Sequence, residues 1–160
     1  IMPSLVGSEM CIRDRFYAGE FQKAQSFTGP NPAAAQAVAL ARTKAERVIL
    51  ATNPLFPPAG VRTRLSWVGL QPEDFDWVTD YENSRACKPN PAYYLEILHQ
   101  LHLEPSRCLM VGNDVQEDVE AAQAAGLETF LVTDCLINRG KLPDCAQGDF
   151  AALLQFLEAM

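Results

Sequence analysis

At 160 residues and 17.6 kDa, the chain is one ordinary domain long and can bury roughly two-thirds of its unfolded surface around a single core. A staple-dependent miniature scaffold is excluded, and 48% apolar with 21% charged residues is a globular balance. Thirteen basic against twenty acidic residues give −7, the wrong sign for a protein that works on nucleic acid or anionic membranes, so an anionic substrate needs a local site of cations, metal or backbone amides.

Residues 1–15 (IMPSLVGSEMCIRDR) carry neither helical nor strand period and no cap signal, and are expected to be a leader foreign to the fold. Phe16 to Phe27 is helix-compatible and stops at Thr28-Gly29-Pro30. Asn31 and Pro32 supply the cap and first turn of a helix reaching about Arg47, with Ala34, Val38, Ala41 and Ala45 on one face. Val48 to Thr52 (VILAT) reads as a buried parallel strand stopped by Asn53-Pro54. Gly60 to Gly69 then reads as a helix exposing Arg62 and Arg64, and Phe75 to Thr79 as a second strand. After Lys88, Asn90 and Pro91 open a helix with Tyr94, Leu95, Leu98 and Leu101 on one face. Cys108 to Val111 is a third strand, Gly112-Asn113-Asp114 opens a helix closed by Gly126, Leu127 to Val132 is a fourth strand, and Phe150 to Met160 a last helix. The alternation predicts an α/β fold with a doubly wound, mostly parallel, Rossmann-like sheet.

In such a sheet, ligands lie beyond the carboxyl ends of the strands. Thr52 ends one apolar run, Lys88 follows the predicted strand FDWVT inside C-K-P-N-P, and Asp114 and Asp118 follow C-L-M-V-G at a spacing of four. A hydroxyl donor, a positive clamp and two carboxylates able to hold Mg²⁺ through oxygen are the requirements of phosphoryl transfer. Taken singly, each has a plainer role: a strand-end hydroxyl, a solvated or ion-paired lysine, a helix cap. His99 and His102 lack a third ligand, and the five cysteines at 11, 87, 108, 135 and 145 form no C-x-x-C pair, which points to a reducing, cytoplasmic setting. No run of about 18 apolar residues or signal-peptide pattern is present.

The ordered set resembles the haloacid dehalogenase superfamily of Mg²⁺-dependent phosphatases. VILATN resembles its second motif, ACKPNPAYY its third, and LMVGNDVQEDVEAAQAAGLETFLVTD its fourth. The resemblance implies that Thr52, with Asn53, binds phosphoryl oxygens and that Lys88 neutralises nucleophile and phosphate. It also implies that Asp118 holds Mg²⁺ together with Asp114 or Asn113; the usual Gly-Asp is here Gly112-Asn113-Asp114, and charge favours Asp114. It further implies a remnant of a helical cap at 16–30 and a core at 31–160 that lacks the central first strand, where the family carries its nucleophile in a D-x-D motif; this sequence has no D-x-D in that place, upstream of the other motifs. The expected reaction is phosphomonoester hydrolysis through an aspartyl-phosphate on a small phosphorylated metabolite, with this chain inactive as written. The alternative is a non-catalytic binding or interaction module of the same fold. The oligomeric state is left open.

Overall fold

A computed structural model describes residues 12, 15–29 and 31–160. The leader expected at 1–15 therefore lies almost wholly outside the described residues.

Local chemistry sets the helix starts. The Asn31 side chain accepts the Ala33 N–H at 3.0 Å, and Pro32 opens helix α1, Pro32–Lys44. This helix ends earlier than its composition predicts, and its buried centre is Ala37 rather than the stripe through Ala34 and Val38. Helix α2 is Pro58–Trp67, with Arg62 and Arg64 exposed as expected. Asn90 accepts the Ala92 N–H at 2.9 Å to start α3, Ala92–Leu101, which ends with His102 in the left-handed region at φ 53°. Its buried face is Tyr93, Tyr94, Ile97 and Leu98; Leu95, expected inside, is 51% exposed.

Strand β1, Ile49–Leu50, pairs in parallel with β2, Trp77–Val78. Both are shorter than predicted because side chains take over the flanking backbone. Asp76 accepts the Val48 N–H, while Thr79 Oγ1 and Tyr93 Oη donate to the Thr52 carbonyl at 2.7 and 2.9 Å. Strand β3, Leu109–Gly112, leads into a π-helical stretch, Val115–Glu120, that continues as Ala121–Ala124; together these form α4. Gly126, at φ 90°, ends it, and Leu127 N–H returns to the Ala122 carbonyl as in a left-handed helix cap. Strand β4, Glu128–Val132, pairs with β3 and with β5, Ala146–Gly148, both in parallel. Strand β5 has no apolar or β-branched signal and was not predicted. Helix α5, Phe150–Glu158, is capped by Asp149 and buries Leu153 and Leu157.

Among the described residues all strand pairings are parallel, and helices cover both faces. Tyr93, Tyr94, Ile97, Ala121, Ala122 and Ala125 form one core layer, while α1 and α5 meet Phe130 and Val132 on the other side. The sheet is divided, however: β1–β2 and β3–β4–β5 are not hydrogen-bonded to each other among the described residues. The layer over α3 nonetheless spans both parts, since Ile49 and Met110 pack against it.

The stretch predicted as a helix over Phe16–Phe27 is helical at residues 15–18 and becomes a 3-10 helix at Glu20–Phe27. Tyr17 and Phe21 lie edge-on and tilted against Phe56, and Phe21 lies 5.2 Å from Trp67 by ring centroids. Thr63 donates to the Tyr17 carbonyl at 3.0 Å, and a Cβ on Gly60 would stand 3.0 Å from the Tyr17 ring. Absence of a side chain at Gly60 lets this segment dock on α2.

Candidate functional site

The C-terminal ends of β1 and β3 and the turn before α3 converge. Lys88 precedes Pro89 through a cis peptide bond, and its Nζ reaches Asp118 Oδ1 at 2.6 Å. The two side chains are only 5% and 12% exposed. The ammonium also lies 5.6 and 5.7 Å from the ring centres of Tyr93 and Tyr94, so a desolvated cation meets both a carboxylate and two aromatic faces. Burial pushes both tyrosine hydroxyls well above their usual ionisation range, and the Asp118 charge adds to this. Both therefore remain neutral donors: Tyr93 holds the Thr52 carbonyl, and Tyr94 donates to the Glu117 carbonyl at 3.0 Å.

Asp118 does not project forward from a regular α-helical first turn, as its spacing from Asp114 predicts. The π-helical start, with Val119 N–H reaching the Asp114 carbonyl, turns the Asp118 carboxylate back beneath Gly112. There its Oδ2 accepts the N–H groups of Asn113 and Asp114 at 3.0 and 3.1 Å. Gly112 is indispensable to this arrangement: a Cβ there would lie 2.3 to 2.4 Å from Asp118 Oδ2, Cγ and Cβ. Gly112→Ala is expected to cost about 2–4 kcal/mol through overpacking and the displaced carboxylate, measurable by urea denaturation. A loss below about 0.5 kcal/mol would show that the turn has room this geometry denies.

Asp114 is buried and caps α4, its Oδ1 accepting the N–H groups of Gln116 and Glu117 at 3.0 and 2.9 Å. Its carboxylate also accepts from Arg139 Nη1, at 3.1 Å to Oδ1 and 2.9 Å to Oδ2. The Asn113 amide donates to the Cys135 carbonyl. The Thr52 hydroxyl makes no hydrogen bond to a described residue, whereas Asn53 Nδ2 donates to Glu117 Oε2 at 3.2 Å and leaves a buried Oδ1 unpartnered. As it stands, Asn53 presents an acceptor rather than the donor that a phosphate oxygen requires.

The structure thus joins Lys88 to Asp118 directly, and Tyr93 links Thr52 to the Lys88 side chain. Sequence pattern alone carries no functional signal for Glu117, Tyr93, Tyr94 or Arg139. His99 and His102 are both exposed, and among the described residues no group of three or more His, Cys, Asp or Glu side chains is placed to hold a metal.

A family model described as HAD-hydrolase-like matches residues 85–150, the segment that contains Lys88, Asp114 and Asp118. Over this segment the chain is a haloacid dehalogenase-superfamily sequence. It is 38% identical over 68 residues to haloacid dehalogenase-like hydrolase domain-containing protein 3 of Bos taurus, covering 42% of this chain and 27% of that protein. It is 30% identical over 111 residues to the phosphorylated carbohydrates phosphatase of Thermotoga maritima, covering 69% of this chain and 50% of that protein. The chain therefore spans half or less of the length of these relatives. Among solved structures, an HAD phosphatase from Thermococcus onnurineus aligns with a TM-score of 0.60 at 22% identity, covering 76% of this chain and 55% of that one. L-2-haloacid dehalogenase from Xanthobacter autotrophicus aligns at 0.61 and 18%, covering 79% and 60%. One superfamily fold thus carries both phosphatase and dehalogenase chemistry, and the choice between them rests on the site.

Proposed function

We propose that this superfamily member contributes the phosphate-handling side of a Mg²⁺-dependent phosphomonoester hydrolase. The observation that carries the reading is the buried Lys88–Asp118 pair set beside Asp114 at the end of β3. The phosphatase relative that shares half its length with this chain adds support.

The donor set fits Mg²⁺, which keeps several waters and takes one or two carboxylates plus substrate phosphate rather than a full protein cage. Asp114 is the first ligand: Asn113 is turned to the Cys135 carbonyl, and Asp114 Oδ2 is engaged only by Arg139, a side chain 58% exposed. Asp118 supports the ligand turn through two backbone amides and completes the set. When bound, the ion supplies a positive charge against the phosphoryl oxygens.

Lys88 adds a fixed positive charge beside the transferring group, and the Thr52 hydroxyl donates to one phosphoryl oxygen. In the family this reading invokes, the attacking carboxylate belongs to a D-x-D motif that follows the central strand. It forms an O–P bond as the ester P–O bond breaks, the leaving alkoxide takes a proton, and water then hydrolyses the aspartyl-phosphate. The substrate is a small phosphorylated metabolite and the setting cytoplasmic. No described helix is long and apolar enough to cross a membrane.

The test uses the protein expressed from its complete gene. Hydrolysis of p-nitrophenyl phosphate is expected to require Mg²⁺, to stop with EDTA, and to fall on the order of 10²-fold or more in Asp114→Asn. Hydrolysis indifferent to EDTA would overturn the metal reading. Absence of turnover, with retained binding of a phosphate ester, would favour a non-catalytic binding module.

A further inference from the structure

Two basic side chains meet the two site carboxylates, and their environments differ. Lys88 is enclosed together with Asp118. Arg139 reaches Asp114 from the surface, being 58% exposed against 9% for its partner. Its placement is built into the chain. The segment between β4 and β5 crosses the turn after β3, where Ile137 N–H donates to the Asn113 carbonyl and Val115 N–H to the Ile137 carbonyl, both at 2.9 Å. Arg139 N–H then reaches Gln116 Oε1 at 3.3 Å, and Asn138 Oδ1 accepts the Gly140 N–H at 2.8 Å. The strap is thus tied to the same turn that presents Asp114, and one nitrogen of its arginine engages both oxygens of that carboxylate.

We infer that Arg139 is a tethered counter-cation that competes with the divalent ion for Asp114 and so sets its affinity. The inference rests on the assignment of Asp114 as a Mg²⁺ ligand. Asp114 Oδ1 already accepts two backbone amides, so Oδ2 is the oxygen more open to an ion; Arg139 already engages it, and two cations on that oxygen repel each other. An ammonium or guanidinium facing solvent can leave at little cost in desolvation, whereas the enclosed Lys88 cannot. Ion entry therefore displaces Arg139 and leaves Lys88 in place. Because the strap's backbone bonds do not involve the guanidinium, the displaced side chain remains at the mouth of the site.

Calorimetric titration of Mg²⁺ into the protein expressed from its complete gene, at low ionic strength, tests this. Arg139→Gln is expected to bind Mg²⁺ about three- to tenfold more tightly. Arg139→Lys, which retains a single charged nitrogen, is expected to stay within about twofold of the parent. Thermal unfolding gives a second readout: Arg139→Gln should melt lower than the parent without metal yet gain more from saturating Mg²⁺. A purely structural arginine would produce only the first change. Equal or weaker Mg²⁺ binding by Arg139→Gln, or equal tightening by Arg139→Lys, overturns the competition. No Mg²⁺ uptake by any of the proteins overturns the metal assignment, and this inference with it.

Discussion

Lys88→Met is expected to lower stability by about 3–5 kcal/mol, the usual cost of removing one partner from a buried ion pair. The sequence alone favours a mainly catalytic lysine whose loss spares folding; its burial in the structure shifts that expectation. The Nζ–Oδ1 separation is 2.6 Å, and neither side chain has much contact with water. With the ammonium gone, Asp118 retains its two backbone donors but faces two tyrosine rings in place of a cation. Asp118→Asn alone leaves Lys88 in the same position and should also destabilise. The double variant Lys88→Met/Asp118→Asn removes both charges, so its loss should fall short of the two single losses combined by more than about 1 kcal/mol. Urea denaturation of the four proteins decides it. Additive losses would show that the two charges do not hold each other, and a loss below about 1 kcal/mol for Lys88→Met would mean water reaches the pair.

The site was legible where chemistry sits beside a local signal. Lys88 stands immediately before a capped helix, and Asp114 and Asp118 follow an apolar run and a glycine; caps such as Asn31 and Asn90 behave as their side chains require. What escaped depends on distant partners. Arg139 lies 25 positions beyond Asp114 in a segment without period, and only the pairing of Ile137 with the turn after β3 brings it in. Glu117 reads as an ordinary first-turn carboxylate until Asn53, 64 positions away, donates to it. The spacing of four between Asp114 and Asp118 was visible, but not the π-helical start that turns the second carboxylate back under Gly112. Strand lengths were overestimated because VILAT and FDWVT are rich in apolar and β-branched residues, while the hydrogen bonds at their ends go to the side chains of Asp76, Thr79 and Tyr93. Leu95 failed for a different reason: α3 carries apolar residues around more than one face, and the tyrosines, larger and able to hydrogen-bond inside, took the core.

On the proposed covalent mechanism, the protein expressed from its complete gene and the 160-residue chain alone are expected to differ in Mg²⁺-dependent ester turnover by a factor on the order of 10⁶, the scale on which loss of a covalent nucleophile acts. The divided sheet has room for the nucleophile-bearing strand that the proposed mechanism calls for. Every residue of β3 is only half-buried, although its sequence reads as an interior strand, while four of the five residues of the neighbouring β4 are buried. Leu50 and Val48 give their carbonyls to the β2 side, and Cys108 gives its own to β4. Alternation along a strand then aims the polar backbone of Ile49, and of Leu109 and Val111, toward the space between the two parts. Ile49 and Met110 share one helical layer above that space, so a parallel strand inserted there would find its ladder partners and its cover in place. Without it, two inner edges remain open to pairing with other chains. Hydrogen exchange at Ile49, Leu109 and Val111 is therefore expected to slow by at least about 10²-fold when the upstream sequence is present. The short chain should elute as aggregates or exchange those amides freely. Equal turnover by the two proteins, or equal protection of the three amides, would show that no strand enters between β1 and β3 and that the attacking group lies elsewhere.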